Sequence, residues 1–188
     1  MDVDGKLLIE CEDPSLIEHE AQVGYTVPEM AGVVEGILRG IGLTRDFAKM
    51  VYIVAHGSSS ANNPHHGAHD CGACSGRPGA PNARVFAFMA NHAGVRKILQ
   101  DRGIAIPEST SFVPAMHDTA SDEIGYYDLK ELPESARAIH EENFVKIETA
   151  LDLNAKERAR RFASIDINQD IHKIRKAIKK RSFSYFEP

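Results

Sequence analysis

Met50-Val-Tyr-Ile-Val-Ala55 is an unbroken apolar run, and the residues that follow, His56-Gly57-Ser58-Ser59-Ser60, change character at once. A continuous run, rather than strict alternation, suits a strand covered on both faces, as in a parallel sheet. The polar stretch from His56 to Gly79 is rich in Gly, Pro, Asn, His and Ser. Structureless loops of that length are uncommon in compact domains unless they are functional or disordered.

Upstream of this run, Pro28 opens a predicted helix to about Arg39, with Met30, Val33, Val34, Ile37 and Leu38 on one stripe and Gly40 and Gly42 beyond it. Residues 6–10 read as a short strand. Downstream, Pro81-Asn82 lead into one helix over about 82–101, stopped by Gly103. A second buried strand is predicted at about 110–116, and it too ends in a polar cluster, His117-Asp118-Thr119-Ala120-Ser121-Asp122. Pro133 starts a long helix to about Phe162, and a basic helix is expected over 167–180. Strands alternating with helices make an open α/β sheet. The expectation is a single α/β domain over 1–188, an open, mostly parallel sheet flanked by helices, with 164–188 as a basic helical tail. Ligands of such sheets bind outside the carboxyl ends of strands. Both polar clusters follow a strand, so they are expected on one sheet edge, sharing a site.

Composition narrows the function. With 43% hydrophobic residues the 188-residue chain can bury a core, and its net charge of −5 argues against a nucleic-acid partner, which needs a basic face. No apolar run approaches the length of a membrane span, and Met1–Lys6 lacks a signal-peptide pattern, so a cytoplasmic chain is expected. In a reducing compartment the three cysteines, Cys11, Cys71 and Cys74, point to metal or reactivity more than to disulfides.

Zinc takes nitrogen and thiolate ligands. His56 leaves a strand end where the sheet fixes the backbone, and Cys71 lies in a Gly-rich polar loop unlike the apolar setting of a structural cysteine. The two are the candidate ligand pair. Cys71 and Cys74 also spell C-x-x-C, which leaves a thiol-redox pair as an alternative; a zinc ribbon would need a second such knuckle, and none is present. His65, His66 and His69 read as solvated loop residues. Ser58–Ser60 beside His56 lack the nucleophile-elbow pattern of a serine hydrolase. His117, Asp118 and Asp122 are either a partner or proton-handling group for the metal, or a capping and turn cluster. The Lys/Arg series of 156–181 reads as a solvated helix face, with a docking surface for an acidic partner as the alternative.

His56-Gly-Ser-Ser-Ser-Ala-Asn-Asn-Pro64, Asp70-Cys-Gly-Ala-Cys-Ser-Gly76 and Pro81-Asn-Ala-Arg84 together resemble the DabA family, zinc subunits of inorganic-carbon uptake complexes with a β-carbonic-anhydrase-like centre. His117-Asp-Thr-Ala-Ser-Asp122 and Glu157-Arg-Ala-Arg-Arg-Phe162 fit in order, and the likeness runs over about 25–163, the C-terminal portion of the family's pattern. The resemblance implies a β-carbonic-anhydrase-like fold, Zn2+ as cofactor, and His56 and Cys71 as the later two of four ligands, with Cys74 outside the set. It implies hydration of CO2 to bicarbonate through zinc-bound hydroxide when the site is complete. It also implies a cation-conducting membrane partner, with the chain cytoplasmic and peripheral on the inner face of the cell membrane. The family's other two ligands form Cys-x-Asp followed by arginine on an upstream strand. Cys11-Glu-Asp13 repeats the Cys-x-Asp, but Ser15 stands where the arginine is expected and the segment lies too near His56 for the family's order. The missing ligands are therefore expected from an upstream segment or second chain, and without them the chain is expected to be an inactive metal-binding or assembly module.

Overall fold

The computed structural model describes residues 7–13, 15, 17, 18, 21–59 and 74–182. In chain order the elements are β1 (Ile17–Glu18), β2 (Ala21–Gln22), α1 (Val27–Gly40), β3 (Met50–Gly57), α2 (Ala80–Asn91), α3 (Ala93–Asp101), β4 (Ser111–Asp118), β5 (Glu123–Tyr126), a 3-10 turn (Leu129–Glu131), α4 (Glu134–Ala159) and α5 (Ile171–Ser182). β1 and β2 pair only with each other, whereas the main sheet runs β3-β4-β5.

β3 and β4 are parallel, in register from Met50 opposite Ser111 to His56 opposite His117 and Gly57 opposite Asp118. Both strands thus extend two residues past their predicted ends and carry the polar clusters inside the ladder. β5, which the sequence reading missed, returns antiparallel along β4, from Asp118 opposite Glu123 to Ala115 opposite Tyr126. Its four residues are too few to show a period, and Asp122 makes the tight turn at φ 56. The expected α/β fold, an open sheet flanked by helices, is what forms; of the sheet's two pairings one is parallel and one antiparallel.

Each face of the sheet has its own cluster. Val51, Ile53 and Phe112 meet Met30, Val34 and Leu38 of α1 with Phe86, Met89, Val95 and Leu99 of α2 and α3. Phe112 is fully buried and takes Phe47 and Phe86 edge-on, at centroid distances of 6.3 and 6.2 Å. On the other face Met50, Tyr52, Val113 and Tyr126 meet Leu132, Ala136 and Ile139.

Local chemistry sets the helix ends. Thr26 caps α1 reciprocally with Glu29, its amide donating to Glu29 Oε2 at 2.8 Å. Of the predicted α1 stripe, Met30, Val34 and Leu38 are buried, but Val33 and Ile37 are largely exposed. The predicted single helix over 82–101 is two: His92 leaves helical geometry at φ −70, ψ 126, and its Nδ1 caps α3 at Val95 N. Arg96 offsets the break by donating to Ala90 O, Asn91 Oδ1, Pro107 O and Thr110 O. Of the predicted 6–10 strand, residues 7–10 make only an isolated bridge, Glu10 to Tyr25.

The basic C-terminal helix is not loose. In α5, Ile174 and Ile178 pack fully buried against Ala155 and Ala159 of α4. Arg175 donates to Glu148 at 2.6 Å and to Asp152 at 3.2 Å.

His140 of α4 is 8% exposed, and its Nδ1 sits 3.0 Å from the Tyr52 hydroxyl. Burial holds the imidazole below its ordinary value of 6.5, and burial with the nearby Tyr52 and Glu148 pushes the Tyr126 phenol up to about 12. The unfolded chain therefore binds a proton at His140 more readily than the folded one. This contribution to stability is fully present above pH 6.5 and declines as pH falls below it. Thermal melts at pH 8 and 5.5 should show a lower Tm in acid, and His140→Gln should shrink the gap. Replacing Ile174 with Ala should cost about 2–4 kcal/mol by leaving a cavity, and denaturant melts measure that loss.

Candidate metal site at the carboxyl edge of the sheet

The register sets His56 beside His117, and alternation along the strands puts both on the face of Tyr52 and Val113. His56 is exposed, yet it is held from several sides. Its carbonyl accepts from Gly79 N at 2.9 Å, which brings the chain back to the strand end at the start of α2. Its Nε2 lies 3.2 Å from Thr119 Oγ1, and Thr119 is itself tied to Gly57 O through its amide at 2.9 Å and its hydroxyl at 3.3 Å. A Cβ at Gly57 would lie 2.8 Å from Met116 Sδ, so a side chain there would displace the flexible Met116.

Asp118 organises the turn after β4. The Ser59 hydroxyl donates to Asp118 Oδ2, and the amides of Ser59, Ala120 and Ser121 donate to Oδ1 at 3.2, 3.0 and 3.3 Å. Burial disfavours the carboxylate, but these hydrogen bonds outweigh it and hold the group below its ordinary range. Asp118 is therefore the turn-capping residue of the cluster.

Asp122 does something different. Its side chain is 4% exposed and accepts from Arg158 Nη1 at 2.7 Å. His117 Nε2 lies 3.4 Å from Asp122 Oδ1, close but not aligned as a hydrogen bond, and it is buried without a hydrogen-bond partner among the described residues. Arg158 also donates to Thr119 O at 2.9 Å and Ala120 O at 3.3 Å, so one guanidinium of α4 clamps the turn that carries Thr119. Sequence reading passed over Arg158 within a solvated basic face; the signal was its place between Ala155 and Ala159, the buried stripe of the helix.

Cys71, the other predicted ligand, lies outside the described residues, as do Ser60, His65, His66 and His69. Cys74 is described, and Asn82 Nδ2 donates to its sulfur at 3.3 Å. Cys11 Sγ donates to Asp13 O at 2.9 Å, while Asp13 Oδ1 accepts from the Ser15 amide and hydroxyl at 2.9 and 2.6 Å. Among the described residues no three His, Cys, Asp or Glu side chains converge as a metal site, and Cys11 and Asp13 do not join His56 in one. Among the described residues His56 fits the donor chemistry of zinc: an exposed imidazole at a strand end, with a hydroxyl orienting its ring.

A cavity of about 730 Å3 opens elsewhere, lined by Arg84, Phe88, His92, Tyr126 and Asp128 among others, and includes neither His56 nor His117. Within its lining Arg84 binds Asp128 through two hydrogen bonds of 2.9 and 2.6 Å.

A family profile described as "Probable inorganic carbon transporter subunit DabA" matches residues 4–188. Proteins of that description are similar to the whole chain: one from Azotobacter vinelandii is 50% identical over 188 residues, and one from Nitrosospira multiformis 47% over 191. A third, from Methylococcus capsulatus, is 49% identical over 75% of the chain. The chain spans only 22%, 21% and 13% of these relatives, about a fifth of their length at most. No solved structure matches it. By the family match and by identity along its entire length, the chain belongs to the DabA family of inorganic carbon transporter subunits.

Proposed function

We propose that this chain is the portion of a DabA subunit that contributes His56 and Cys71 to a zinc site for hydrating carbon dioxide. The observation that carries the reading is the placement of His56. The parallel ladder brings it to the carboxyl edge of the sheet, and Thr119 holds its ring. Zinc, when bound, acidifies a coordinated water so that hydroxide is available near neutral pH to add to carbon dioxide, giving bicarbonate. This chain's own residues supply donors and hold them still. His56 donates through its imidazole, Thr119 orients that ring, and Arg158 through Asp122 and the 119–120 carbonyls fixes Thr119.

The remaining ligands, in this reading, come from a Cys-x-Asp-x-Arg segment in the rest of the subunit or in a second chain. The subunit works on the cytoplasmic side with a membrane partner that conducts cations. Among the described residues no helix is long and apolar enough to cross a membrane, which leaves that task to other parts. One observation favours a second reading, a metal-binding or assembly module without turnover: among the described residues no three His, Cys, Asp or Glu side chains converge as a metal site.

Elemental analysis tests the site. His56→Ala and Cys71→Ala should each lower zinc affinity at least about tenfold, Thr119→Val should do so by about 10–100-fold, and Cys74→Ser should leave it unchanged. Zinc content unaffected by both ligand variants would sink the proposal, and equal dependence on Cys74 and Cys71 would favour the thiol pair. A hydration assay on the zinc-loaded full-length Azotobacter relative then separates enzyme from module. Arg158→Met should strand the buried Asp122 carboxylate and cost about 3 kcal/mol in a denaturant melt, with weaker zinc binding.

A further inference from the structure

We infer that the exposed face of α5 is a docking surface for an anionic lipid bilayer. The chain segregates its charges. Residues 156–181 carry ten Lys and Arg against three Asp and Glu, whereas the other 162 residues carry twelve against twenty-four. The net charge of −5 thus conceals a strongly basic segment on an acidic body. Beside an anionic surface the body is repelled and the basic segment attracted, so the molecule approaches in one orientation.

Within α5 the cations divide by direction. Ile174 and Ile178 pack against α4. Lys176 and Lys180 each follow one of these isoleucines by two residues, about 200° round the helix, and Lys173 lies in line with them. All three lysines are exposed, and among the described residues none of them enters an ion pair. The arginines are used inward. Arg175 binds Glu148 and Asp152, and the Arg181 guanidinium lies 4.0 Å over the Phe162 ring.

Helix stability does not account for this row. Cations complement the helix dipole in the last turn, where Lys179, Lys180 and Arg181 stand, and oppose it in the first. The first turn of α5 has no acid and holds Lys173 instead. Residues 171–182 include no Asp or Glu, so no pair within the helix relieves the repulsion of like charges three and four apart. An anionic surface outside the helix offsets it.

Chemistry names the occupant. Protein interfaces are depleted in lysine and centre on buried aromatic or arginine anchors, and the row presents neither. Patterned phosphate recognition favours the planar fork of arginine. Lysines are compact charges on flexible stems, which suits a fluid array of lipid phosphates. The inference deepens the proposed function and rests on that reading only for a membrane being at hand; the surface itself rests on charge and not on zinc.

Flotation of this chain, stripped of zinc, tests the inference with vesicles of phosphatidylcholine alone and of equal parts phosphatidylcholine and phosphatidylglycerol. The chain should float with the anionic vesicles at about 0.1 M salt and stay behind with the neutral ones. It should come off at about 1 M, where the screening length falls to about 3 Å. Lys173→Gln, Lys176→Gln and Lys180→Gln combined should lower partitioning about 100-fold, since each lysine near such a surface contributes about fivefold. The Tm of that variant should not fall. Arg45→Gln, Lys49→Gln and Lys97→Gln combined change the net charge equally at exposed sites outside α5, and should lower partitioning less than about threefold because of screening. No binding to anionic vesicles, equal binding to neutral ones, or equal losses in the two variants would overturn the inference. So would binding of polyglutamate without binding of anionic vesicles, the mark of an acidic polypeptide partner. Zinc analysis of the same chain keeps the two ideas apart: vesicle binding without a zinc site removes the metal reading alone, and a zinc site without vesicle binding removes the lipid surface alone.

Discussion

The parallel ladder between β3 and β4 is the constraint on which the rest depends. One register brings His56 level with His117 and Gly57 level with Asp118, so two segments 61 residues apart share a single strand end. A slip of one residue would turn every side chain of β3 to the opposite face. It would take Val51 and Ile53 out of the cluster with Phe112, and His56 away from Thr119. The hydrophobic faces thus fix the position of the polar edge. The aromatic contacts of Phe112 with Phe47 and Phe86 help to lock that register from one side, and Tyr52 with Tyr126 and His140 from the other.

The turn that follows β4 extends this rigidity to α4. A buried carboxylate is tolerable only with a partner, and Asp122 has Arg158. Because the same guanidinium also takes two backbone carbonyls, removing Arg158 would loosen Thr119 as well as leave the Asp122 carboxylate stranded. Asp118 works on the turn from within, through the amides of Ala120 and Ser121 and through Ser59. The polar residues of 117–122 thus divide their labour. Asp118 shapes the turn, Asp122 anchors it to a helix, and Thr119 meets the candidate ligand.

How much of this was legible follows from which interactions are local. The apolar run 50–55 announced β3, periodicity announced α1 and Pro133 announced α4, because each signal lies within one element. Placing both polar clusters on one sheet edge needed only the rule that sequential parallel strands are neighbours. The break at His92 was not legible, because Arg96 offsets it through carbonyls as distant as Pro107 and Thr110. β5 was not legible either, being four residues held by pairing with β4 rather than by any pattern of its own. Arg158 was hidden for the same reason: its partner lies 36 residues away, and locally it is one cation in a basic stretch. His56 was visible as a strand-end histidine, whereas the hydroxyl that orients it, 63 residues on, was not.

The exposed surface carries the last step. α1 buries Met30, Val34 and Leu38 but leaves Val33 and Ile37, with Ile41 just past its end, 41%, 45% and 65% exposed, spaced four apart. Residues at that spacing lie in a row along one side of a helix. Scattered apolar residues on a surface need no explanation, but aligned rows mark interfaces. The row on α1 has that pattern. The same holds for β3, whose apolar side chains lie on both faces of the sheet although its outer edge is unpaired among the described residues. The candidate ligand His56 stands exposed at the carboxyl end of that strand rather than in the middle of the described core.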